Sequence, residues 1–178
     1  MAGEFLPDDS AIGLWRFAGR QRAGRPYEEV ARVEKLGALD QAASHRDIVK
    51  AALARLPKQL TPGGTALYDA TLDAIRAMRA TYDPEATNAV VVFTDGANDY
   101  SRGISLRRFQ EKVGADARAH PTAPIVLVTI GIGPEADQQA LKAMTAPVGG
   151  RTYRADTPKA LQTVLFDAIA HRVPRRPS

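Results

Sequence analysis

The sequence predicts an α/β fold with a mostly parallel sheet flanked by helices. Short runs rich in β-branched residues alternate with longer amphipathic segments, and Gly, Pro and Asp occur at the junctions. Residues 89–93 form a continuous apolar run, which is typical of a strand covered on both faces of a parallel sheet, and residues 125–130 are predicted to form a second buried strand. Residues 66–81 carry apolar side chains at helical spacing. We therefore expect strands and helices to alternate along the chain.

Composition restricts the class of protein. The chain has 178 residues, of which 44% are hydrophobic, with 24 Lys and Arg against 20 Asp and Glu. These values are typical of a globular domain and exclude a disordered chain. The basic residues are dispersed, so we expect no nucleic-acid binding, and no apolar run approaches the roughly 20 residues of a membrane span. The absence of cysteine excludes disulfides and thiol chemistry and leaves the compartment unassigned.

The first part of the chain predicts two extended segments and a helix. A turn at residues 7–10 precedes a predicted strand over 11–17, and residues 27–36 alternate in polarity as an edge strand does. Ser44 has the side chain of a helix N-cap. The helix predicted after it ends at Leu56, because Pro57 cannot continue it.

The second part of the chain alternates more regularly. In order, the patterns predict a helix over 66–81, a strand over 89–93, a helix capped by Ser105 and ending near 119, a strand over 125–130, a helix over 136–144, a strand over 151–154 and a helix over 158–170. No repeat or linker interrupts this pattern. We expect a domain over residues 1–172 and a basic tail over 173–178.

Two positions in this pattern can carry binding chemistry. Asp95 directly follows the apolar strand 89–93, and ligands of parallel α/β sheets bind at the carboxyl ends of strands. A carboxylate there can bind a hard cation or stabilise a turn. Thr65 follows two glycines at the start of a predicted helix, where its hydroxyl can bind a metal ion or cap the helix. The residues alone leave these alternatives open.

Two motifs resemble the von Willebrand factor type A (VWA) domain of bacterial type. They are Gly-Gly-Thr-Ala-Leu-Tyr-Asp-Ala, starting at Gly63, and Val-Val-Val-Phe-Thr-Asp-Gly-Ala-Asn-Asp, starting at Val90. The resemblance implies a Rossmann-like α/β domain that binds proteins and is not an enzyme. In this family a metal-ion-dependent adhesion site (MIDAS) holds a divalent cation, usually Mg²⁺, which captures an acidic side chain of a protein partner. The resemblance also implies that Thr65 and Asp95 are metal ligands.

Part of the family's metal site has no counterpart in the sequence. The first strand of the family ends in Asp-x-Ser-x-Ser, which supplies the remaining ligands, and this motif does not occur here. An Asp-x-Ser segment at 8–10 precedes a strand and lacks the second serine, so we expect a turn there. With Thr65 and Asp95 alone, we expect weak Mg²⁺ binding or none, unless Asp8 or Asp99 substitutes.

The same departure from the family affects the expected sheet. In the family, the strand with the missing motif is central, between the strands that match 12–17 and 89–93. We therefore expect an N-terminally truncated domain, without the first strand and most of the first helix, and with two apolar strand edges left open. The two strands can pair directly, or another segment or chain can fill the gap. Self-association through exposed strand edges is one expected outcome.

A dinucleotide-dependent α/β enzyme is the alternative function. Gly131, Gly133 and Ala136 fit the pattern Gly-x-Gly-x-x-Ala directly after a predicted strand. Asp156 ends the next strand, roughly where an acid that binds ribose would stand. The motif is short and common, so it predicts dinucleotide binding less specifically than the two VWA motifs predict their family.

Other charged groups weaken the alternative and offer no catalytic site. Glu135 and Asp137 put negative charge at the helix start that would face a pyrophosphate, which opposes anion binding. The three histidines lack the spacing of metal ligands, and exposed or capping roles are expected for them: His45, His120 and His171.

Overall fold

The computed structural model describes residues 6–17, 27–40, 43–55, 64–157 and 160. The chain divides into two compact units, Met1–Gly64 and Thr65–Ser178. Gly63, the basic tail and the predicted helix over 158–170, apart from Ala160, lie outside the described residues.

The first unit contains an antiparallel strand pair, a small second ladder and a helix. Its described elements are β1 (Ala11–Phe17), β2 (Tyr27–Lys35), β3 (Leu39–Asp40), β4 (Ala43–Ser44) and α1 (His45–Arg55). β1 pairs with β2, and β3 pairs with β4. The two predicted strands and the predicted helix are confirmed. The β3–β4 ladder was not predicted, because two-residue strands leave no periodic pattern in a sequence.

Side-chain hydrogen bonds of Ser44 and His45 fix the start of α1 in the first unit. The Ser44 hydroxyl accepts a hydrogen bond from the Asp47 amide and donates one to the Asp47 carboxylate, at 3.2 and 2.6 Å. The hydroxyl bond lowers the pKa of Asp47. His45 is buried, and its Nε2 lies 2.8 Å from the Ile12 carbonyl oxygen. The expected exposed or capping role of His45 is therefore wrong, since its ring bonds a strand 33 residues away.

The second unit is a parallel α/β layer. Its described elements are α2 (Leu67–Ala80), β5 (Ala89–Thr94), α3 (Leu106–Ala119), β6 (Val126–Ile132), α4 (Gln138–Thr145), a 3₁₀ turn (Ala146–Val148) and β7 (Arg151–Ala155). The strands lie in the order β5-β6-β7, and both pairs are parallel. The predicted α/β class and its parallel sheet are confirmed.

The core of the second unit forms around β6. Leu127 and Ile130 of this strand are fully buried, as expected of the second buried strand. Helices supply the other large buried side chains, among them Phe109 of α3, and Leu141 and Met144 of α4. Ser105 caps α3 as predicted, because its hydroxyl accepts the Arg108 amide at 3.2 Å. The rigid sheet therefore fixes where the loops after β5 and β6 begin.

β5 is an edge strand in the part of the sheet that the structure describes. The Asn88 carbonyl accepts the Val126 amide at 2.9 Å. Every second residue of a strand bonds the same neighbouring strand, so Asn88, Val90 and Val92 direct their backbone amides and carbonyls towards β6. The amides and carbonyls of Ala89, Val91 and Phe93 are directed away from β6. Among the described residues, β1 and β5 belong to different sheets, so direct pairing, one of the two alternatives left open by the sequence, is not observed.

Candidate functional site

Asp95 stands where the sequence predicted it, directly after the last residue of β5. Its side chain is exposed, whereas Thr94 is buried. The Thr94 hydroxyl donates to the Gly96 carbonyl oxygen at 3.0 Å and accepts the Gly96 amide at 3.3 Å. These two bonds close a small turn around Asp95. The turn leaves the carboxylate available to a ligand at the carboxyl edge of the sheet.

Thr65 lies beside the same turn. Its carbonyl oxygen accepts the Asp99 amide at 3.0 Å. A β-carbon built on Gly96 would lie 3.9 Å from the Thr65 hydroxyl oxygen. The N-cap position of α2 is Ala66, so Thr65 stands one residue before the cap. The structure thus brings the segment after Asp95 next to Thr65, within the second unit.

Asn98 and Asp69 add two further contacts between these segments. The Asn98 side-chain oxygen accepts the Tyr68 amide at 3.3 Å, and the Asp69 carboxylate accepts the Ile104 amide at 3.1 Å. Sequence reasoning did not assign a role to either side chain. Because the sequence already offers Thr65 as a possible cap of this helix, no local pattern indicates that Asn98 would accept a first-turn amide instead.

The described residues bring few ligands for a Mg²⁺ ion together. Mg²⁺ requires a near-octahedral shell of six oxygens, and Thr65 and Asp95 offer one hydroxyl and one carboxylate. Within the described ranges, no three His, Cys, Asp or Glu side chains are grouped as metal ligands. Asp8 forms the predicted turn of the first unit, and its carboxylate pairs with Arg46 at 2.8 Å. Asp99, the other candidate substitute ligand, is exposed, and its backbone amide bonds the Thr65 carbonyl oxygen.

The two glycines of the Gly-x-Gly-x-x-Ala segment are explained by packing and backbone conformation. A β-carbon on Gly131 would collide with the Gln138 amide nitrogen and would lie 2.9 Å from the Ala136 β-carbon. Gly133 has a φ of +74°, which favours glycine. Packing and backbone conformation therefore favour glycine at both positions without any bound phosphate.

The N-terminus of α4, which follows this segment, already has a carboxylate bound to a first-turn amide. Asp137 caps α4, and its side chain accepts the Ala140 amide at 2.9 Å. The Asp156 carboxylate, the expected ribose ligand, accepts the Arg154 side chain at 2.7 Å. Nothing in this geometry supports the dinucleotide alternative.

Tyr68 connects the start of α2 with the start of α4 electrostatically. Burial raises the pKa of the Tyr68 phenol, and the negative charge of Asp137 raises it further. The Tyr68 ring also lies 5.9 Å from the Phe109 ring, centroid to centroid. The first turn of α2 is therefore anchored both in the core and beside the site.

The family follows from a comparison of the sequence with known families. Residues 7–167 match the von Willebrand factor type A domain. The chain belongs to the VWA family. This membership confirms the resemblance seen in the two motifs.

Two curated relatives come from Mycobacterium tuberculosis. They are the uncharacterized proteins MT1884 of strain CDC 1551 and Rv1836c of strain H37Rv, and each is 31% identical to this chain over 155 residues. The match covers 85% of this chain and 21% of each relative. The chain therefore spans about a fifth of the length of these relatives.

Solved structures show the same fold at low sequence identity. A von Willebrand factor type A protein from Catenulispora acidiphila aligns with a TM-score of 0.71 and 18% identity, over 96% of this chain and 35% of that one. BatB from Bacteroides thetaiotaomicron aligns with a TM-score of 0.62 and 17% identity, over 96% and 82% of the two chains.

None of the described helices is both long and apolar enough to cross a membrane.

Proposed function

We propose that this VWA domain binds a protein partner and is not an enzyme, and that the partner contacts Asp95 and Thr65. The observation that carries the proposal is the placement of the Thr65 hydroxyl beside Gly96, with the exposed Asp95 carboxylate one residue away. An exposed carboxylate and a hydroxyl on rigid elements can accept and donate hydrogen bonds to a docked side chain. Membership of the VWA family supports protein binding at this carboxyl edge of the sheet.

The chemistry of the partner side chain remains part of the proposal. The resemblance to other VWA domains implies an acidic side chain, which Asp95 would repel unless a cation lay between the two carboxylates. We expect the described oxygen ligands to hold Mg²⁺ only weakly on their own. We therefore assign the contact to Asp95 and Thr65 directly and use added Mg²⁺ as a separate condition in the test.

Selection of peptides from a displayed random library tests the proposal. Peptides are selected on the full chain, with Mg²⁺ in one arm and EDTA in the other, and their affinities are then measured on variants. We expect Asp95→Asn and Thr65→Val to weaken the selected peptides about tenfold or more, which is roughly 1.4 kcal/mol. Enrichment of acidic peptides in the Mg²⁺ arm alone would support the acidic partner.

Glu85→Gln is the matched control for Asp95→Asn. Glu85 is also an exposed carboxylate, but it precedes β5 and so lies at the amino end of that strand. The Glu85→Gln substitution removes one negative charge from the second unit, as Asp95→Asn does, but leaves the proposed site unchanged. Peptides that lose equal affinity on Glu85→Gln and Asp95→Asn would contradict the proposal, since the effect would then be one of net charge.

A further inference from the structure

The segment after Asp95 is fastened to the start of α2 at three points. We name residues 95–104 the clasp loop. Its Asp99 amide bonds the Thr65 carbonyl at 3.0 Å, its Asn98 side chain accepts the Tyr68 amide at 3.3 Å, and its Ile104 amide bonds the Asp69 carboxylate at 3.1 Å. The clasp loop contains no helix or strand, so these bonds hold backbone that has no regular structure of its own.

Asn98 supplies the cap that α2 lacks in its own sequence. The first amides of a helix have no partner inside the helix, and an N-cap side chain usually accepts one of them. Ala66 occupies the N-cap position and makes no such bond. The half-buried Asn98, 30 residues along the chain from Tyr68, accepts that residue's amide instead. Helix capping and loop placement therefore depend on the same side chain.

Asp69 holds the other end of the clasp loop. Its carboxylate lies in the first turn of α2, where the helix dipole stabilises negative charge, and it accepts the Ile104 amide. Gly103 permits this approach, because a β-carbon there would collide with the Asp69 carboxylate and lie 2.7 Å from the Tyr100 ring. Asn98 and Ile104 of the clasp loop are thus bonded to consecutive residues of one helix, Tyr68 and Asp69.

We propose that Asn98 and Asp69 are positioning residues that hold the clasp loop against α2 and so keep Asp95 beside Thr65. The proposal rests on the function proposed above, in which those two residues contact the partner. Loss of either positioning side chain loosens this placement and so weakens partner binding, although Asp95 and Thr65 themselves are not substituted. Restoring an acceptor oxygen at the same position restores binding.

A disulfide measurement tests the placement without any partner. The chain has no cysteine, so Thr65→Cys and Gly96→Cys introduce its only two thiols, and the cross-linked monomer is separated by size from any product that joins two molecules. A β-carbon at position 96 would lie 3.9 Å from the Thr65 hydroxyl oxygen, which a cysteine sulfur would replace, so the two introduced thiols start close to each other. We expect Asn98→Leu and Asp69→Ala to slow cross-linking several-fold, whereas Asn98→Asp and Asp69→Asn keep an acceptor and restore the rate. Ser101→Ala, an exposed change in the same loop, is the control.

Amide hydrogen exchange of the unmodified chain provides a second measurement if a variant fails to fold. We expect the amides of Tyr68, Asp99 and Ile104 to exchange more slowly than those of Ser101 and Arg102, because the first three donate within the clasp. Exchange of all five at the rate of an unstructured peptide would overturn the proposal. An unchanged cross-linking rate in folded Asn98→Leu and Asp69→Ala would overturn it as well.

The two proposals can fail separately. Slower cross-linking and restored rates in the conservative variants support the clasp even if no selected peptide depends on Asp95. If peptides do depend on Asp95, we expect Asn98→Leu to weaken them and Asn98→Asp to recover them. If Asn98→Leu slows cross-linking but leaves peptide affinity unchanged, the link between positioning and binding is overturned.

Discussion

Arg79 in the last turn of α2 donates a hydrogen bond to Asp116 of α3, with 2.6 Å between the two side-chain atoms. A second guanidinium nitrogen donates to the Ala123 carbonyl oxygen, just before β6. The exposed fractions of the two paired side chains are 16% and 25%. The pair therefore joins two helices and a turn at the amino end of the sheet, in partly desolvated surroundings.

Replacement of Arg79 should destabilise the second unit more than replacement of a neighbouring arginine. We expect Arg79→Leu to lower the free energy of unfolding by about 2 kcal/mol, because Asp116 and the Ala123 carbonyl lose a charged donor. The control is Arg76→Leu, whose pair with Asp73 is exposed and should cost at most about 0.5 kcal/mol. Urea denaturation measures both, and equal losses would contradict the prediction.

The phenol of Tyr68 should titrate at higher pH than an unburied tyrosine. Burial and Asp137 both favour the neutral phenol, so its folded pKa lies above its unfolded value. The resulting stabilisation is complete below the ordinary value near pH 10 and is lost as pH rises through the raised pKa. The ultraviolet titration of the wild-type chain minus that of Tyr68→Phe isolates this group.

Asp137→Asn provides the companion measurement for Tyr68. Asparagine caps helices nearly as well as aspartate, so α4 should retain its start while the negative charge is removed. We expect the pKa of Tyr68 to move down part of the way, with the remaining elevation due to burial. An unchanged titration curve would show that the charge of Asp137 does not reach the phenol.

The parts of this fold that local patterns determine were predictable. The apolar run of β6 and the caps Ser44 and Ser105 depend on neighbouring residues, and the structure confirms them. The contacts of Asn98 and Asp69 join residues 30 and 35 positions apart, and that of His45 spans 33. A single sequence does not show such pairs, because neither partner has an unusual local pattern.

Magnesium binding should be weak for this chain. Two protein oxygens, from Thr65 and Asp95, gain little against the cost of dehydrating the ion. We expect calorimetry to give a dissociation constant weaker than about 1 mM, with no difference between the wild-type chain and Asp95→Asn. A micromolar constant that disappears in Asp95→Asn would contradict this prediction, and Asp99→Asn would then test the nearest substitute ligand.

The open side of β5 should make the chain self-associate. Ala89, Val91 and Phe93 direct their backbone groups away from β6, and no strand pairs with that side in the described part of the chain. Unpaired backbone groups on an apolar, uncharged edge are a template for another strand. Phe93 has 37% of its surface exposed at this edge. We expect light scattering to show molecular mass rising with concentration.

Charge placed on this edge should prevent that association. A lysine on an edge strand opposes strand addition, because pairing would desolvate its ammonium group or bring it against its counterpart in a second copy. We expect Phe93→Lys to remain monomeric at concentrations where the wild-type chain associates, while Phe93→Leu, which keeps the edge apolar, still associates. A wild-type chain that stays a monodisperse monomer and melts cooperatively at high temperature would show that the edge of β5 is already covered within one molecule.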